Sequence, residues 1–347
     1  MNIRYIFTTG LVLACAVATD AQTDADSPKY AAEIHGTIRG KYEYQPDMGA
    51  GRFEVRNARF SLTGKVAPVV SYKAEIDLSD EGNIKMLDAY TRLMPDNHFN
   101  FTIGQMRVPF TIDAHRSPHQ QYFANRSFIA KQVGNVRDVG ATLGYKINGS
   151  LPMVLEAGLF NGSGLTGQKN FWTKGINFSA KMQMFLPQGF NITLSAQKIK
   201  PNLYSVMMYD GGVYYHSRGW HIEAEYLLKH YSQHSFHDVN AFDGFVCYDF
   251  QLHKKFFSKV SVLARYDYMG DHSDGKCYTD GKEVTEGGSL TTNDYRRQRV
   301  TGGVTLSIAK PFISDIRINY EKYFYAHSSI AKTSEQDKFV IEFMTRF

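Results

Sequence analysis

Apolar and polar side chains alternate residue by residue through almost the whole of this chain. In AAEIHGTIRGKYEY one face carries Ile34, Gly36, Ile38, Gly40, Tyr42 and Tyr44, and the other Glu33, His35, Thr37, Arg39, Lys41 and Glu43. VSYKAEIDL sets Val70, Tyr72, Ala74, Ile76 and Leu78 against Ser71, Lys73, Glu75 and Asp77. FVIEFMTRF repeats the pattern up to Phe347. A period of two belongs to a β-strand with one apolar face. No stretch of comparable length carries a helical period. About sixteen such segments follow one another, near 31–44, 52–65, 69–79, 84–94, 98–107, 138–147, 152–161, 174–185, 189–199, 203–215, 219–231, 239–250, 258–269, 297–309, 314–325 and 337–347.

Each segment has about the ten residues that a tilted strand needs to cross a bilayer. Mean hydropathy is -0.34. Alternating strands average to such a value while still presenting a continuous apolar band to lipid. A packed β-sandwich would also bury an apolar face. The opposite face holds Glu, Lys, Arg and Asp together, which suits a water-filled lumen and not a packed core. Aromatic residues gather near segment ends, as in a membrane-interface girdle. Connections after even-numbered segments are short: VAPV, MPDN, NGSLP, LPQG, HSRG, LHKKFF and KPFISD. The two longest, 108–137 and 270–296, follow odd-numbered segments, although the connection at Lys200-Pro201-Asn202 is short. Short turns on one side and long loops on the other mark an outer-membrane barrel. The expected fold is therefore all-β: a transmembrane antiparallel barrel of about sixteen strands. An edge strand cannot stand open in lipid, so the segment ending at Phe347 is expected to pair with the first.

Export is expected from the N-terminus. Arg4 precedes the apolar run Ile6 to Val17, and Thr19-Asp20-Ala21 suits signal cleavage before Gln22. The expected division is a signal peptide over 1–21 and a barrel domain over 22–347. The stretch ending at Cys15 also loosely resembles a lipoprotein processing site. Cys247 and Cys277 are too few for a disulfide framework and are expected to be unbonded. The net charge of +5 permits anionic partners without demanding them.

One ordered set of motifs resembles a known family. RNARFSLTGKVAPVVSYKAEIDL is followed by MLDAYTRL, FTIGQMRVPFTID, RDVGATLGYK and GLFNGSG. This is similar to the phosphate-selective porin O and P family. The matching positions are Arg56, Arg59, Gly64, Lys65, Gly104, Gln105, Pro109, Phe110, Arg137, Asp138, Gly140, Asn161, Gly162 and Gly164. The resemblance covers roughly 34–164; beyond that it rests on strand rhythm and Phe347. It implies sixteen strands, a long third outer loop folded into the pore, anion passage and trimers. The terminal Phe347 also looks like the signal that the barrel-assembly machinery reads.

Loop parity independently makes 108–137 the third outer loop. It holds Arg116, Arg126, Lys131 and Arg137, with His115, His119 and the single acid Asp113 before its last strand. Arg39, Lys41, Arg59 and Lys73 lie on polar strand faces. These eight cations are the candidate pore-lining, substrate-binding residues. Positive charge at a constriction favours anions, and guanidinium groups bind phosphate bidentately. The same cations could equally anchor the loop to lumen acids such as Glu75 and Asp77. On the lumen strands Arg39, Lys41, Arg59, Lys73 and Arg265 face Glu33, Glu43, Glu223, Glu225 and Asp267, so strand charges are expected nearly to cancel. The expected function is passive diffusion of small hydrophilic solutes across a Gram-negative outer membrane, with a modest preference for anions such as phosphate. The alternative is a non-conducting outer-membrane barrel acting as an adhesin or enzyme. Expected partners are outer-membrane lipid, lipopolysaccharide and a homotrimer, with no nucleic acid. His230, His234 and His237 fall at a strand end and in a loop, not on a helix face, and RRQR at 296–299 reads as a rim charge run. No motif calls for a cofactor, a metal or a catalytic residue.

Overall fold

The computed structural model describes residues 31–80, 83–252, 256–279, 282–284, 287–308, 313–327 and 332–347. The expected signal segment, and parts of two expected turns, lie outside them. In chain order the strands are β1 (Glu33–Gln45), β2 (Ala50–Ala67), β3 (Val70–Asp80), β4 (Asn83–Leu93), β5 (Phe99–Arg107), β6 (Arg137–Ile147), β7 (Met153–Phe160), β8 (Asn177–Phe185), β9 (Phe190–Ile199), β10 (Val206–Ser217), β11 (Trp220–Tyr231), β12 (Val239–Gln251), β13 (Phe257–Met269), β14 (Cys277–Thr279), β15 (Lys282–Val284), β16 (Ser289–Leu290), β17 (Arg297–Ile308), β18 (Ile313–Tyr325) and β19 (Lys338–Arg346). Sixteen of these strands close into one antiparallel barrel; β14, β15 and β16 form a separate small sheet.

Closure satisfies the backbone. β19 pairs with β18 on one side and with β1 on the other, in the register Arg39↔Met344. Phe347 extends the seam: its amide donates to the Gly36 carbonyl at 3.1 Å, and the Gly36 amide donates to the Phe347 carbonyl at 2.8 Å. The Phe347 ring lies across Gly36, where a Cβ would stand 2.3 Å from the ring. An aromatic side chain thus covers the strand glycine that leaves room for it.

The two faces divide as the alternation requires. Ile34, Ile38, Val213, Ile222, Val262, Ile341 and Phe343 are exposed on the outer wall. Arg39, Lys41, Glu223, Arg265, Asp267 and Glu342 point inward and are buried. The interior nevertheless departs from an all-aqueous lumen. Phe110, Phe128, Ile129, Ala130 and Val133 pack against Val206, Met208, Leu227, Val239, Ala241 and Met269, inward-facing residues of β10 to β13. These strands place apolar side chains on the lumen parity near their outer ends, and the third loop covers them. Loop parity also holds less strictly than the sequence suggests. The turn between β1 and β2 spans only 46–49, and the connection between β3 and β4 only 81–82. Both join odd to even strands, where long loops are expected.

Candidate functional site

The segment 108–136 leaves β5 and re-enters the wall at β6, with the Val108 amide donating to the Val136 carbonyl at 3.0 Å. Between those points it runs inside the barrel. Its stem lies on β8, β9 and β11. Ser179 donates to the Pro109 carbonyl at 2.7 Å, the Thr111 amide donates to Ser195 Oγ at 3.1 Å, and the Ile112 amide donates to the Glu225 carboxylate. Its far part lies on β1, β13, β17 and β18. Arg39 donates to Gln121 Oε1 at 2.8 Å and to the Ala124 carbonyl at 2.7 Å. The Ala124 amide donates to Asn319 at 2.9 Å, Arg265 to the Asn125 carbonyl at 3.0 Å, and Arg299 to the Arg126 carbonyl at 2.7 Å. Phe128 sits under the guanidinium groups of Arg297 and Arg299, at 4.7 and 4.8 Å. The loop therefore lines the wall from β8 round to β1.

The structure separates the eight candidate cations into groups. Arg59, Lys73 and Arg137 come together on the wall of β2, β3 and β6. Arg59 donates to Asp77 at 2.8 Å; Lys73 bridges Asp88 and Glu75 at 2.6 and 2.8 Å; Arg137 reaches Asp88 at 2.6 Å and Glu75 at 3.1 Å. Arg116 and Arg126 meet at the elbow of the loop. Arg116 pairs with Glu223, and Arg126 donates to the Arg116 carbonyl at 2.6 Å and to the Asp113 carbonyl. Arg39 holds the loop tip and pairs with Glu342. Lys41 pairs with Glu43 at 2.7 Å, and Lys131 with Glu335 at 3.1 Å, both away from the elbow.

Arg107 belongs to this site and does not stand out in the sequence. It ends β5 directly opposite Arg137, and like charges facing each other across a strand pair repel. Its guanidinium donates to the carbonyls of Ala114 at 3.2 Å and Arg116 at 2.9 Å. The available signal is its place as the last strand residue before Pro109, where a lumen-facing side chain meets the loop.

Burial makes the lumen electrically lopsided. Asp210, Glu225 and Asp243 project inward from neighbouring strands β10, β11 and β12, and each is at most 5% exposed. The side chains of Lys73, Arg59 and Glu75 on the opposite wall are 23%, 15% and 12% exposed. There the cations Arg59, Lys73, Arg107 and Arg137 meet the carboxylates Glu75, Asp77 and Asp88. Within the loop, burial pushes the Asp113 carboxyl up, but Arg126 and Arg116 pull it down further, so it ends below its usual range. Burial, then Arg346 and Arg107, push the His119 imidazole down to about 4. Burial and Lys181 hold His115 well below its ordinary value. A cavity of about 560 Å³ opens beside the loop tip, lined by His115, His119, Tyr122, His216, His221 and Lys259 among others.

The other constellations resolve differently. Arg297 and Arg299 of the RRQR run turn inward and are buried, Arg297 with Glu335 at 3.1 Å and Arg299 with Asp267 at 2.9 Å. They are not a rim charge run, because strand parity places them in the lumen. His230 bonds Asp238 at 2.7 Å, and His237 bonds the Asp271 carbonyl at 3.0 Å. Among the described residues no cluster of His, Cys, Asp and Glu is arranged to hold a metal ion. Cys247 and Cys277 are both free and buried.

A closed barrel of sixteen antiparallel strands with a charged lumen and a folded-in third loop is an outer-membrane porin. The sequence profile of the phosphate-selective porin O and P family matches residues 29–204, just over half of the chain, and the chain belongs to that family. Solved porins share the fold. The anion-selective porin from Comamonas acidovorans superposes with a TM-score of 0.59 over 91% of this chain and 98% of its own, at 9% identity. OmpF of Salmonella typhi, in complex with daunomycin, gives 0.61 over 92% and 98%, at 11% identity. The trimer form of OmpT from Vibrio cholerae gives 0.58 over 91% and 98%, also at 11%. No curated protein sequence matches the chain. The protein is an outer-membrane channel for small solutes in a Gram-negative bacterium.

Proposed function

We propose that the channel passes small hydrophilic solutes by diffusion and prefers anions, phosphate among them, by a modest factor. One observation carries this reading. The third loop covers the acidic wall of β10 to β12 and leaves the cationic wall of β2 to β6 facing the open lumen. A buried carboxylate behind a loop acts on a passing ion only at long range, where water and salt screen within about 8–10 Å. Arg59 and Lys73, partly exposed to the lumen, act at much shorter range. The anion-selective Comamonas relative supports the direction of the preference.

Arg59 and Lys73 line the passage in this reading, with Arg107 and the buried Arg137 behind them. Arg39, Arg116 and Arg126 hold the loop in place, while Lys41 and Lys131 act near the outer end. The channel is not an enzyme: diffusion past these groups needs no catalytic residue. Residues 1–21 serve as a removed export signal, and the mature chain assembles as a homotrimer in lipopolysaccharide-bearing membrane. The trimeric Vibrio porin supports that assembly. Purified protein in a planar bilayer is expected to show stepwise conductance, in multiples of three for a trimer, and a reversal potential displaced toward anions in a salt gradient. Electrically silent bilayers containing folded protein would favour the adhesin or enzyme alternative.

A further inference from the structure

Residues 157 to 209 contain no Asp or Glu, but they hold Lys169, Lys174, Lys181, Lys198 and Lys200. Lys181 faces the lumen and donates to the Thr111 carbonyl at 2.5 Å. The other four gather at the outer end of β8 and β9. Lys169 and Lys174 sit in the connection 161–176 that follows β7, on the same side of the barrel as the third loop. Lys200 directly follows β9, its stem against Gly175, where a Cβ would stand 3.1 Å from Lys200 Cδ. Lys198 points outward, because its neighbours Gln197 and Ile199 are buried on the lumen side. It lies beside Phe178 of β8 and Met207 of β10. Among the described residues none of the four takes part in an ion pair.

Between Lys169 and Lys174 stand Phe171 and Trp172. Trp172 is 93% exposed, which is unusual for so large an apolar side chain in any soluble contact surface. Gly167 and Asn170 adopt positive φ, 77° and 64°, and the Phe171 amide donates to the Gln168 carbonyl at 3.3 Å, so the loop turns tightly and presents its tip. Below the tip the outer wall continues with exposed Ile176 and Leu159, and Leu203 is exposed in the next connection.

We propose that this patch docks on phosphate-bearing lipid headgroups of the outer leaflet, with Trp172 and Phe171 seated at the headgroup boundary and the four lysines on the phosphates. Tryptophan prefers that boundary because its ring is apolar and its N–H needs a polar partner. Basic clusters beside it bind anionic headgroups. The acid-free composition selects an anionic occupant over a second copy of this chain, whose matching surface would bring the same lysines. The assignment rests on the barrel's place in the outer membrane and is independent of conduction or selectivity.

The chain has two tryptophans, Trp172 and Trp220, and Trp220 opens β11 at the opposite end of the barrel. The variant Trp220→Phe therefore reports Trp172 alone. It is reconstituted into phosphatidylcholine vesicles with or without lipid A, the phosphorylated glycolipid. Emission is expected to shift to the blue, and to be quenched by brominated acyl chains, as lipid A is added. Replacing Lys169, Lys174, Lys198 and Lys200 by Gln should raise the lipid A fraction needed for half the shift by well over tenfold, each lysine near an anionic surface being worth roughly fivefold. Unchanged single-channel conductance shows that this variant is folded. Emission that stays at the solvent-exposed position at every lipid A fraction would overturn the proposal. So would an equal shift from inorganic phosphate in neutral vesicles, or one that follows protein-to-lipid ratio without lipid A, which would mark a contact between copies. Conductance that survives such a failure leaves the channel itself standing.

Discussion

Gly36 shows how a single residue settles the barrel seam. The Phe347 ring occupies the space that any Cβ at position 36 would need. Gly36→Val should force the ring off the seam, costing about 1–3 kcal/mol as overpacking does. The midpoint of the heat-induced shift in gel mobility should fall, and an unchanged midpoint would contradict the contact. Other residues were less legible. Strand parity marks Arg39, Lys41, Arg59 and Lys73 as inward-facing, but parity says nothing of partners. Lys41 therefore looks equivalent to Lys73 in the sequence, yet it pairs with Glu43 well away from the loop elbow. Arg107 is not legible in the sequence, because the turn at Pro109-Phe110 hides that it faces the lumen beside Arg137.

At the scale of elements, the alternation locates all sixteen barrel strands to within a few residues, because one face must meet lipid. The small sheet of β14 to β16 is not legible, since strands of two or three residues carry too few positions for a period. The apolar residues of the third loop were visible, but their docking surface was not. It is assembled from one or two positions on each of several strands. Phe128 is the wedge of that docking, fully buried beneath Arg297 and Arg299. Phe128→Ala should weaken docking by about 3–5 kcal/mol, the usual cost of emptying a buried aromatic site. Single-channel traces should become noisier, with larger open steps; a quiet wild-type trace would show that the loop is held elsewhere. The loop should also respond to acid. A free imidazole titrates near 6.5, and the docked His119 near 4. Its surroundings are cationic: Arg346, Arg107, Arg317 and Lys73. The docked loop thus binds fewer protons than the released loop between those values. Docking is fully stabilised above about pH 6.5 and loses stability as pH falls toward 4. Noise should therefore rise from about pH 7 to about pH 5, and the double variant His115→Gln/His119→Gln should remove that rise.

For the whole molecule, charge content and charge exposure tell different stories. The lumen strands carry both signs in similar numbers, which the sequence reads as near cancellation. Folding breaks the balance by laying one neutral-backboned loop over one wall. Asp210, Glu225 and Asp243 disappear behind it, while Arg59 and Lys73 stay beside open space. No periodicity could reveal this, because it depends on which wall a non-periodic loop chooses. The most direct test is the reversal potential across a salt gradient for two double variants. Arg59→Gln/Lys73→Gln removes charge from the open wall. Glu225→Gln/Asp243→Asn replaces two carboxyl groups of the covered wall by amides and keeps an acceptor for the Ile112 amide. A unit charge about 8 Å from an ion in water is worth about 0.5 kcal/mol, roughly a factor of two in permeability ratio. The first variant should therefore lose the anion preference by about twofold per charge, and the second should keep the wild-type reversal potential. A shift toward anions in the second variant as large as the loss in the first would contradict the account, because both walls would then face the passage equally.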